Sequence, residues 1–168
     1  MNKKAFTITE VFVYILALVF GAMILMYGYN SISEIVNFGE KAIFVKFQKN
    51  LENSVTEISA LPGTSRIKTF ATPINFEKIC FFDYTKACDP DSLSESISIV
   101  DNIRQTICDS VNSKVANVFL LPLKGNDLNI PKIELTESQN PLCINIASGS
   151  LNLKITGKGK TALIEPTE

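Results

Sequence analysis

From Val11 to Tyr29 the chain reads VFVYILALVFGAMILMYGY, with no charged residue and no proline. At 1.5 Å per residue, about 19 helical residues cross a hydrocarbon core of roughly 30 Å, so this run predicts a membrane helix. A secretory signal peptide has a shorter apolar core, usually about 7–15 residues, that ends in a small-residue cleavage site. Here the run is longer and continues into NSISE. Lys3 and Lys4 precede it, and Glu34 and Glu40 follow it. The positive-inside rule therefore places the N-terminus in the cytoplasm and the remainder outside.

Beyond the run, apolar residues keep helical phase at Ile32, Ile35, Val36, Gly39, Ile43, Phe47, Leu51, Val55 and Ile58, while Glu34, Lys41, Lys49 and Glu52 fall elsewhere on the wheel. No proline intervenes before Leu61-Pro62-Gly63. One helix from about Phe6 to Ala60 is expected, roughly 80 Å long, its outer half amphipathic and packed on the domain that follows. Gly21, Gly28 and Gly39 are points where it could bend or approach another helix, although membrane helices tolerate glycine without such a reason.

Glu10 stands at the lip of the apolar run, where an ionised carboxylate is costly unless paired or near headgroups. The start reads Lys3-Lys4-Ala5-Phe6-Thr7-Ile8-Thr9-Glu10. Over about 25 residues it resembles the processing and assembly region of type IV pilins and pilin-like proteins, bacterial or archaeal. Ala5 stands where that family usually has glycine, and Ile8-Thr9 where Leu-Ile is commoner. The resemblance implies a basic leader, residues 1–5, recognised through Lys3 and Lys4 and cut by a prepilin peptidase between Ala5 and Phe6. It also implies that Glu10 pairs with the N-terminal amine of a neighbouring subunit during assembly. Two opposite charges enter hydrocarbon together at lower cost than either alone.

After Pro62 the pattern changes to short alternating or apolar runs between turn residues. Strands are expected at Arg66–Ala71, Phe76–Asp83, Asn117–Leu123, Asn129–Leu135, Leu142–Ala147, Ser150–Thr156 and Thr161–Glu165. Ser148-Gly149, Lys124-Gly125-Asn126-Asp127 and Gly157-Lys158-Gly159 read as turns. A second helix is expected between Ser92 and Val115, with Ser92 and Glu95 as a capping box. The expected architecture is α+β: residues 6–30 a transmembrane helix, 31–61 its amphipathic continuation, and 62–168 a head in which one antiparallel sheet packs on that helix. The second helix would cover an edge or side of the sheet. Of the adjacent aromatics Phe81 and Phe82, one is expected to face inward.

Cys80, Cys88, Cys108 and Cys143 all fall in the part placed outside, where disulfides persist. Cys80 and Cys143 sit in expected strands, Cys88 and Cys108 in a loop and the second helix. This favours 80–143 with 88–108, and leaves 80–88 with 108–143 as the alternative. Zinc binding competes weakly, since there is no C-x-x-C pair and no histidine.

The absence of histidine also removes imidazole-based nucleophile activation. Asp83, Asp89, Asp91, Asp101 and Asp109 are scattered, and Asp89-Pro90-Asp91-Ser92 lacks the ligand count of a calcium loop. With 16 basic against 17 acidic residues there is no electrostatic footprint for nucleic acid. No enzyme activity, cofactor, metal or nucleic-acid partner is expected. The resemblance implies a structural subunit, major or minor, of a surface filament serving adhesion, DNA uptake or secretion. Its partners would be the membrane, the peptidase, the assembly machinery and other subunits contacted through the N-terminal helix. The alternative is a monomeric, membrane-anchored extracytoplasmic binding domain that keeps its leader.

Overall fold

The computed structural model describes residues 8–90, 93, 101–136 and 140–167, without the side chains of 8–10, 30–38 and 101. Helix α1 runs over Ile8–Ser59, followed by β1 (Ser65–Ala71), β2 (Lys78–Phe81), α2 (Asp101–Asn112), β3 (Val118–Leu121), β4 (Ile133–Glu134), β5 (Leu142–Asn145), β6 (Ser150–Gly157) and β7 (Ala162–Pro166). The fold is α+β. The chain divides into two compact units between Ala42 and Ile43, inside α1.

The first unit holds the apolar run Val11–Tyr29, of which none is buried. In the second unit the heptad-like series Phe47, Leu51, Val55 and Ile58 is almost wholly buried. Spacings of four, four and three residues put these side chains on one face.

The expected single antiparallel sheet is two sheets. The first has order β1-β6-β7-β4 and the second β3-β2-β5. All pairs are antiparallel except β4 with β7, which run parallel with Ile133 opposite Ala162. The physical reason lies in β2 and β3, whose sequences KICF and VFLL offer almost no polar face. A strand apolar on both sides must be covered on both sides. By contrast β6 alternates Leu151, Leu153 and Ile155 inward with Asn152, Lys154 and Thr156 outward, as a sheet with one solvated face requires.

The alternation in the second sheet separates two cores. Ile79, Phe81, Val118, Leu120 and Leu142 join the α1 face and Phe70, Leu151, Leu153, Ile155, Ala162 and Ile164 of the first sheet. Cys80, Phe82, Phe119 and Leu121 face the other way, against Leu93 and the α2 residues Ile107, Cys108 and Val111. Helix α2 therefore covers a full sheet face, not an edge. Both Phe81 and Phe82 are buried, one in each core, because the chain there is covered on both faces.

Helix α2 ends at Asn112, short of the expected bound at Val115, which is 66% exposed beyond a left-handed Lys114. Ser92 and Glu95, the expected capping box, lie outside the described residues. The Ser148-Gly149 turn forms as expected, with both residues at positive φ.

Gly157 departs from its reading as a turn residue: it closes β6 against the end of α1. A Cβ there would lie 2.1 Å from the Ile58 carbonyl oxygen and 2.3 Å from that of Leu61. The same junction caps the helix. The Gly159 N–H donates to the Ser59 carbonyl at 2.8 Å, the Gly63 N–H to the Gly157 carbonyl at 2.9 Å, and the Gly157 N–H to the Thr64 carbonyl at 2.9 Å.

Candidate functional site

Two features of the chain bear on function: the exposed apolar run and the disulfide-bonded domain. In the run, Leu18, Ile24, Leu25 and Met26 are each more than 70% exposed. Water around so continuous an apolar surface would be strongly disfavoured, at about 25 cal/mol per Å². Tyr14, Ala17, Leu18, Gly21, Ala22 and Leu25 line a shallow apolar concavity along one helix face. A Cβ on Gly21, Gly28 or Gly39 would meet nothing within 4 Å, so among the described residues no close approach requires glycine at these positions. Glu10 lies in α1 one residue before the run, its side chain outside the described set. Lys3, Lys4, Ala5 and Phe6 lie outside the described residues.

In the outer domain Cys80 and Cys143 stand directly opposite on β2 and β5, with Cα atoms 4.0 Å apart and sulfurs at 2.08 Å. Cys88 and Cys108 join the loop after β2 to α2, with sulfurs at 1.97 Å. No described cysteine is free. Bridging sequence separations of 63 and 20 residues removes unfolded-chain entropy worth about 4 and about 3 kcal/mol, respectively, in the loop-closure account. The Asn112 side chain reinforces the second bridge, accepting from the Cys88 N–H at 3.0 Å and donating to its carbonyl at 3.3 Å.

Asp83 is buried and already engaged, accepting from the Thr85 N–H at 2.8 Å, the Thr85 hydroxyl at 2.7 Å and the Leu135 N–H at 3.4 Å. Asp109 is exposed on α2, while Asp91 and Ser92 lie outside the described residues. Among the described residues no three carboxylates or cysteines gather as metal ligands.

One structural residue had no sequence signal. Buried Asn117 accepts from the Ile130 N–H at 2.8 Å and donates to the Ile130 carbonyl at 2.9 Å, so its amide replaces a missing strand neighbour. Burial raises the pKa of two groups, Tyr84, whose hydroxyl donates to Asn129, and Asp127 in the turn after β3.

The arrangement is that of a single-pass anchor joined to a disulfide-bonded domain suited to an oxidising compartment. No protein-family model, curated protein or solved structure matches the chain.

Proposed function

We propose that this protein is a pilin-like subunit, major or minor, with a structural role in a surface filament. Its N-terminus is cytoplasmic before assembly, and its disulfide-bonded domain lies outside the cell. The observation that supports this reading is the continuity of α1. The helix that carries the exposed apolar run Val11–Tyr29 also supplies Phe47, Leu51, Val55 and Ile58 to the core of the outer domain. A tether would need only to reach the membrane; a helix shared between the two solvents gives a subunit one element for embedding and for carrying its head.

On this reading the leader is removed between Ala5 and Phe6, leaving a new amine four residues before Glu10. Glu10 then pairs with the amine of a neighbouring subunit, because neither charge is stable alone in an apolar helix bundle. Replacing Glu10 with alanine is expected to abolish surface filaments while membrane insertion persists. Filaments unchanged in number and length would overturn the reading in favour of a non-polymerising anchored domain. Intact-mass analysis separates the two independently, since only the filament reading requires a chain that begins at Phe6.

A further inference from the structure

The two tyrosines at the end of the apolar run distinguish a lipid surface from a protein surface. Tyr27 and Tyr29 are 73% and 77% exposed, and among the described residues neither hydroxyl has a hydrogen-bond partner. They are two residues apart, so they differ by only about 3 Å in height but by about 200° around the helix axis. A docked protein helix would cover one side and leave the other phenol uncovered. A bilayer interface surrounds the helix at a single depth and can receive both, with each ring against acyl chains and each hydroxyl among headgroups.

We propose that Tyr27 and Tyr29 sit at the phospholipid headgroup level and set the depth of α1 in the bilayer. The inference rests on the membrane reading of Val11–Tyr29 and is independent of filament assembly. The 18 residue steps from Tyr29 back to Val11 rise about 27 Å, close to the roughly 30 Å of a hydrocarbon core. Val11 then marks the opposite boundary, and the Glu10 backbone lies just outside it. A carboxylate there reaches hydrated headgroups and needs no protein partner while the chain stands alone in the membrane.

The sequence contains no tryptophan, so a single introduced indole reports depth without background. Full-length Tyr27→Trp, Tyr29→Trp and Phe20→Trp variants are reconstituted in phosphatidylcholine vesicles whose acyl chains are brominated near the headgroup or near the terminal methyl. Indoles at 27 and 29 should lose more fluorescence to the shallow bromines, and the indole at 20 more to the deep ones. Deep quenching at 27 and 29, or no quenching there while position 20 is quenched deeply, would overturn the proposal and leave the membrane span intact. Absence of quenching at all three positions would overturn the span as well. Adding Tyr27→Leu and Tyr29→Leu to Phe20→Trp should change its shallow-to-deep quenching ratio, and an unchanged ratio would remove the depth-setting role.

Discussion

Leu18 and Leu51 occupy the same helix, and their surroundings are opposite: Leu18 is 74% exposed, Leu51 fully buried. The first lies in a stretch apolar on every side, the second on a single apolar stripe backed by Lys49, Asn50, Glu52 and Asn53. An all-round apolar helix is stable only where its solvent is itself apolar, whereas a striped one needs a folded partner. One helix therefore serves two solvents, and the change falls where its polar face begins.

The strongest way to break the contrast is at the junction of α1 with β6. Gly157→Ala places a methyl against two backbone carbonyls that cannot both retreat. It should cost at least about 3 kcal/mol, the upper end for overpacking. The expected outcome is an outer domain sensitive to proteolysis, with the apolar run still inserted in membranes.

A matched pair sharpens the contrast. Leu51→Ala should destabilise the outer domain by about 2–5 kcal/mol through lost burial and a residual cavity. Leu18→Ala removes the same atoms and should leave the domain's denaturation midpoint unchanged. Chemical denaturation followed by circular dichroism in detergent reads both, and equal shifts would defeat the two-solvent account.

The smallest expected effect concerns charge in the outer domain. Burial raises the Asp127 pKa, so its protonated form is favoured on folding. That contribution is full below the ordinary value of 3.8 and is lost as pH rises through the raised folded value. Asp127→Asn should therefore give a slightly higher melting temperature at pH 7, with the difference vanishing below about pH 4. A gain that persists at low pH would point to a cause other than ionisation.

Much of this was legible in the chain. The apolar run, the stripe through Phe47, Leu51, Val55 and Ile58, the Ser148-Gly149 turn and the strand positions follow from periodicity and turn chemistry, which are local. The strand expected at Asn129–Leu135 shrank to Ile133–Glu134, because its pairing is with β7, some 30 residues away in sequence. The candidate assembly residues carry a different limit: Glu10 is legible only through the residues around it, since its chemistry would be completed by another molecule.

What the sequence determined by itself was which segments could tolerate which solvent, because hydropathy and its period are properties of neighbouring residues. Only the tertiary structure decided that the head has two sheets and two cores and that Cys80 faces Cys143. It alone revealed that Asn117 fills a gap in strand pairing and that Gly157 must lack a side chain. Each of these depends on a meeting between residues far apart in the chain, where register and close packing, rather than local pattern, select what fits.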